Sequence, residues 1–151
     1  MPRNLRAESQ PPPSIRWGRV ILAAILSEFA VFAVLLSVIY SHQYLFAPGR
    51  TADEYSAFNE TASYYLAPIS AGIAAFALAF WAARRAPAPV TTGMMVGILA
   101  VILSISFIFL AKPEDRLMYG VSYLLRLAGG YSGGVLAQRM SNLQVSKGIA
   151  Q

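Results

Sequence analysis

Two ionisable residues stand inside long apolar stretches of the chain, where a charge is costly. Glu28 lies in the stretch 20–40 and Arg126 lies in the stretch 117–137. A carboxylate in such a setting could carry a proton or bind a cation, and a guanidinium could hold a carboxylate through two hydrogen bonds. An isolated charge in mid-membrane costs at least about 2.5–3.5 kcal/mol on insertion scales, so each residue needs a partner.

Four apolar stretches are available to position these charges, at about residues 20–40, 64–83, 90–111 and 117–137. Each approaches the length of about 20 residues with which a helix crosses a bilayer. Hydrophobic residues make up 56% of the chain and charged residues only 13%, about half the usual charged share of a globular protein. The sequence therefore predicts an all-α fold, an integral membrane four-helix bundle.

Helical geometry places the two charges at nearly the same depth. Glu28 lies about 12 Å along its helix from position 20, and Arg126 lies about 13 Å from position 117 on the opposite side. In a hydrocarbon layer about 30 Å thick, the long Arg side chain spans the difference. We therefore predict a Glu28–Arg126 ion pair between the first and fourth spans.

Two roles are open for this pair. Buried ionisable groups often mark transport paths, so the pair could be a proton or substrate site. Alternatively it is a structural clamp that determines which helices meet. A neighbouring guanidinium favours the ionised carboxylate and opposes its reversible protonation, which favours the clamp.

The stretch Ile21-Leu-Ala-Ala-Ile-Leu-Ser-Glu28 resembles the first helix of small multidrug resistance exporters, which are also four-span proteins with a lone membrane carboxylate there. The resemblance implies a carrier role for Glu28. The chain differs from that family in its length, in its long outer loop and in placing Arg126 on the fourth span.

Small residues recur at helical spacing within three of the spans, which favours close approach of helix backbones. The second span carries a ridge of alanines, the third carries one GxxxG pair, and the fourth carries two interleaved glycine pairs: Ala67, Ala71, Ala75, Ala79 and Ala83; Gly93 and Gly97; Gly129 and Gly133, Gly130 and Gly134. We favour packing of these ridges within one chain; packing between two chains in a dimer is the alternative.

Positive charge is distributed unevenly between the two sides of the predicted bundle. One side carries eight basic residues, Arg3, Arg6, Arg16, Arg19, Arg84, Arg85, Arg139 and Lys147; the other carries three, Arg50, Lys112 and Arg116. The positive-inside rule then places both termini in the cytoplasm. We expect a flexible cytoplasmic tail at 1–16, a membrane domain at 17–139 and a cytoplasmic tail at 140–151, in a bacterial inner membrane.

The outer connection at 45–63 is the longest loop. Thr51 and Glu54 have the spacing of a capping box, and Tyr55, Phe58 and Ala62 follow at helical spacing. We predict a short interfacial helix that leads into the second span, with Pro68 as a bend or an early-turn residue.

Several kinds of chemistry lack the residues they need. The chain has no cysteine and one histidine, His42, so thiolate catalysis and cysteine-ligated metals are excluded. No catalytic set, metal site or cofactor is predicted, and the net charge of +5 follows from loop asymmetry rather than from nucleic-acid binding. We expect a non-enzymatic accessory, assembly or scaffold protein in the lipid bilayer, with a membrane protein partner or a second copy. The alternative is a small oligomeric transporter that uses Glu28.

Overall fold

Helices account for every regular element in the computed structural model, which describes residues 15–149. The elements in chain order are α1 (Trp17–Ser41), a π-helical turn (His42–Phe46), α2 (Ala52–Ala83), α3 (Pro89–Ser104), α4 (Ser106–Leu110), a 3-10 turn (Pro113–Asp115) and α5 (Arg116–Ile149). The all-α prediction is confirmed for this part of the chain. The predicted tail at 1–16 lies almost wholly outside the described residues, as do the last two residues of the tail at 140–151.

Three helical segments are long and apolar enough to cross a membrane: Trp17–Phe46, Ala52–Ala83 and Pro89–Leu110. The last of these joins α3 and α4. Helix α5 is not among the three, because Arg126 and the glycines of its middle turns lower its mean hydropathy. Large apolar side chains are exposed along all of these helices, which is rare on the surface of a soluble monomer.

Helix α2 corrects one expectation. The outer loop does not contain a separate interfacial helix, since a single helix runs from Ala52 through Pro68 to Ala83. The predicted capping box is confirmed at its start: Thr51 Oγ1 accepts a hydrogen bond from the Glu54 amide at 3.4 Å, and Glu54 Oε2 accepts one from the Thr51 amide at 3.0 Å. The Thr51 amide and the Thr51 hydroxyl both donate to the Glu54 carboxylate, and these two bonds lower the pKa of Glu54. The capping box thus stabilises the N-terminus of α2, and the helix continues from there into the apolar segment without interruption.

The helices are arranged so that α1 and α5 lie on opposite sides of the α2–α3 pair. Helix α1 packs on α2 and α3, and α5 packs on the same two helices. The tightest apolar core lies where α1 begins and α2 ends, and it comprises Val20, Ala23, Ala79, Ala82 and Val96. We call this the closed end of the bundle; the opposite end contains α4 and the 3-10 turn.

Small side chains allow this close packing. In α2, Ala71, Ala75 and Ala79 are buried, whereas Ala67 is only half-buried. The glycines of α5 divide between its two neighbours. A Cβ placed on Gly133 would lie 2.5 Å from the Phe76 carbonyl oxygen of α2, and one on Gly130 would lie 2.7 Å from the Gly93 carbonyl oxygen of α3.

The remaining glycines of the predicted set follow the same division. Gly129 faces α2, and Gly134 faces the first turn of α3, with 2.9 Å from its placed Cβ to the Pro89 carbonyl oxygen. Gly97 of α3 faces α5 in return. The small-residue ridges are therefore occupied by helices of the same chain.

Candidate functional site

Glu28 and Arg126 meet between α1 and α5. Arg126 Nε donates to Glu28 Oε1 at 3.1 Å, and Arg126 Nη2 donates to Glu28 Oε2 at 2.8 Å. Arg126 Nη1 donates to Ser122 Oγ at 2.6 Å, one turn earlier on α5. The Arg126 side chain is 7% exposed and that of Glu28 is 16% exposed. The pair is bidentate and largely withdrawn from solvent, the geometry in which Arg–carboxylate contacts are strongest.

The backbone around Arg126 is held close to both neighbouring helices. A Cβ on Gly97 of α3 would lie 2.8 Å from the Arg126 carbonyl oxygen, and one on Gly72 of α2 would lie 3.1 Å from Leu125 Cβ. A Cβ on Gly97 would force the two backbones to shift, and one on Gly72 would be tight enough that Leu125 would have to move by a few tenths of an ångström. The two glycines therefore set how deeply the turn that carries Arg126 enters the bundle.

A helix break lies beside this turn. Helix α3 ends at Ser104, Ile105 forms a tighter turn with its amide 3.4 Å from the Ile102 carbonyl oxygen, and α4 then continues. The Ser104 carbonyl oxygen accepts a hydrogen bond from the Tyr123 hydroxyl at 3.0 Å. Tyr123 thus satisfies a carbonyl group that the break removes from the regular helical pattern.

A cavity of about 340 Å³ extends from the ion pair toward the end opposite the closed core. Glu28 and Arg126 lie at its inner end, and Glu60 and Asp115 lie at its mouth. Residues of four helical segments form its wall: Val31, Phe32 and Leu35 of α1; Ser63, Tyr64, Ala67 and Pro68 of α2; Ser104 and Phe107 around α4; Met118, Tyr119 and Ser122 of α5. The site is therefore a mainly apolar chamber with charged groups at both ends.

A second ion pair lies at the mouth. Lys112 Nζ is 2.9 Å from Glu60 Oε1, and both side chains are well exposed. The hydrogen bond and the charge of Lys112 lower the pKa of the Glu60 carboxyl. This pair connects α2 to the segment before α5, across the entrance. Because it is exposed, its contribution to stability is small.

His42 lies apart from this cavity. Its ring stacks on Phe58 with centroids 3.5 Å apart and contacts Tyr55 edge-on at 6.4 Å. Its Nδ1 has no hydrogen-bond partner within the described part of the chain. No group of three or more potential metal ligands occurs among the described residues. The ring of His42 thus packs between aromatic side chains of α2 at the end of α1.

Sequence reasoning pointed to the pair but not to the cavity. Ser122 could have been placed in the site, because it precedes Arg126 by one helical turn and shares its face. Glu60 and Asp115 carry no such signal, since they are far apart in sequence and line the same cavity only because of the fold. The sequence also gives no signal for the break at Ile105, because this residue lies within a continuous apolar run.

Comparison of the chain with protein-family models, curated proteins and solved structures found no match. The functional interpretation therefore depends on the geometry of the pair, the cavity and the helices around them. Two features distinguish that geometry. Each of the three Arg126 side-chain nitrogens donates a hydrogen bond, and the pair lines the inner end of the cavity.

Proposed function

We propose that the protein is a non-enzymatic, four-span membrane protein, an accessory or assembly component in which Glu28–Arg126 is a structural clamp. One observation carries the clamp: both Glu28 oxygens accept bonds from Arg126, while the third Arg126 nitrogen donates to Ser122. A side chain so engaged has little capacity left to bind and release a substrate. The pair instead stabilises the pairing of α1 with α5 across the bundle.

Three features support α5 as the fourth span. It is 34 residues long, and Arg126 is the one charged residue between positions 117 and 137. That charge is paired, which removes most of its cost in hydrocarbon. The side chains that α5 turns outward, such as Leu117 and Leu124, are exposed and apolar. The eight-to-three distribution of basic residues supports cytoplasmic termini.

The accessory role is tested by extracting the tagged chain in native lipid particles and identifying co-purifying proteins by quantitative mass spectrometry. We expect a partner protein in fixed stoichiometry with the chain. An unrelated four-span protein with the same tag is the control for nonspecific capture. A chain that is recovered alone and monomeric would overturn this role.

A small transporter is the second candidate. The cavity favours this function because it leads from one end of the bundle to the buried carboxylate of Glu28. The test is proton uptake into proteoliposomes that contain a pH-sensitive dye. Loss of uptake in Glu28→Gln with unchanged folding, and not in Glu54→Gln, would favour the carrier. Loss of folding in Glu28→Gln without any uptake by the native chain favours the clamp.

A further inference from the structure

The wall of the cavity is incomplete between α1 and α4. Helix α1 packs on α2 and α3, whereas α4 has its packing contacts with α5 and the end of α3. Phe32 of α1 and Phe107 of α4 both line the cavity, and they remain 50% and 40% exposed because neither helix covers the other there. The cavity therefore opens sideways at these two rings. In a membrane, such an opening faces lipid.

The chemistry of the lining changes along the cavity. Its middle is apolar, formed by side chains such as Val31, Leu35 and Met118. The charges at its inner end neutralise each other, because Glu28 is bound to Arg126. At the mouth, Glu60 is paired with Lys112. Asp115 is the one lining carboxylate that forms no ion pair with the side chains the structure describes.

We propose that this cavity binds one phospholipid, with an acyl chain between Phe32 and Phe107 and a primary ammonium headgroup at Asp115. An acyl chain suits an apolar chamber that opens to lipid, and the volume of about 340 Å³ lies in the range of small-molecule sites. A primary ammonium donates charge-assisted hydrogen bonds to a carboxylate. Arg116 directly follows the 3-10 turn and supplies positive charge for the phosphate.

The primary ammonium distinguishes one lipid class from its neighbours. Phosphatidylethanolamine has N–H donors, phosphatidylcholine has a cation without donors, and phosphatidylglycerol has a net negative charge and no ammonium group to bind Asp115. Bound lipid also excludes water from the inner end of the cavity. Because a lower local dielectric strengthens charge pairs, the lipid then supports the Glu28–Arg126 contact.

This inference rests on the membrane placement in the proposed function, but not on the accessory role. The test is native mass spectrometry of the full chain, released from detergent micelles that contain equal amounts of the three lipids with identical acyl chains. We expect one phosphatidylethanolamine per chain, retained over phosphatidylcholine by about fivefold, which is the effect of one hydrogen bond that only the primary ammonium can donate. Asp115→Asn removes this preference, and Asp53→Asn, an exposed change outside the cavity, leaves it intact.

A second pair of variants tests the chamber itself. Ala67→Leu adds bulk inside the cavity and lowers retention of all three lipids, whereas Ala57→Leu, on the exposed side of the same helix, has no effect. Circular dichroism checks folding. If Ala67→Leu misfolds, Asp115→Asn still tests the headgroup contact, because Asp115 lies in a short turn at the end of the bundle.

Two results would overturn the inference. One is equal retention of the three lipids by the native chain, and the other is an equal loss of preference in Asp115→Asn and Asp53→Asn. Failure of the underlying membrane placement is distinguished by washing membranes with alkaline carbonate. A chain released by the wash contradicts the membrane assignment, whereas a chain that stays in the membrane without lipid preference contradicts only the lipid site.

Discussion

Removal of one charge from the Glu28–Arg126 pair leaves the other charge without a counterion inside the bundle. In Glu28→Gln the stranded group is Arg126, whose side chain is 7% exposed. Breaking a buried pair in this way costs about 3–5 kcal/mol, which lowers the folding equilibrium constant more than about a hundredfold. In Arg126→Gln the stranded group is Glu28, which is 16% exposed and faces the cavity, so we expect the lower end of that range.

The double variant Glu28→Gln/Arg126→Gln separates pairing from simple loss of contacts. Two neutral amides can still hydrogen bond, and neither leaves an unpaired charge. We therefore expect the double variant to be about 2–3 kcal/mol more stable than the sum of the single losses predicts. The charge swap Glu28→Arg/Arg126→Glu should restore stability only in part. The rescue is incomplete because Ser122 and the close approach at Gly97 suit an arginine on α5 and not on α1.

The assay is unfolding by sodium dodecyl sulfate titration in bicelles of fixed lipid composition, with membrane abundance as a second readout. Ser122→Ala removes one hydrogen bond from the charged guanidinium and calibrates the scale at about 1.5–3 kcal/mol. Arg85→Gln removes an exposed charge and is expected to stay close to the native value. Additive single losses, or single variants as stable as the native chain, would refute the clamp.

Three further predictions use the same unfolding assay or its pH dependence. Gly130→Ala forces its Cβ to within 2.7 Å of a carbonyl oxygen of α3 and costs about 1–3 kcal/mol, whereas Gly120→Ala, with nothing within 4 Å, gains about 0.5–1 kcal/mol; equal effects would contradict the packing. Tyr123→Phe leaves the carbonyl at the α3–α4 break unbonded and costs about 1 kcal/mol, so an unchanged stability would show that the break needs no such support. The pKa of Glu60 in the folded protein lies below its ordinary value of 4.5. The Lys112 contact therefore stabilises the fold above pH 4.5, and this stabilisation is lost as the pH falls through the folded pKa of Glu60. A Glu60→Gln variant should lack this acid-dependent loss of stability.

The sequence alone was enough to locate the long apolar stretches and the two charges that need each other. Apolar runs of membrane length and the capping box at Thr51 depend on local spacing, which the chain displays directly. The depth argument that joins Glu28 to Arg126 depends only on the rise per residue and the thickness of hydrocarbon. The rise per residue and the hydrocarbon thickness are nearly independent of how the helices pack, so the depth of each charge can be predicted without knowing the fold.

Only the tertiary structure decided which helices are neighbours and what space lies between them. The glycines of α5 are interleaved, so their spacing cannot say that Gly133 faces α2 while Gly130 faces α3. The turn at Ile105 interrupts an apolar run that looks continuous, and the cavity exists because α4 packs toward α5 rather than α1. Glu60 and Asp115 both line the cavity only because of long-range packing. Local spacing determines each helix and its charges, but the contacts between helices determine the site.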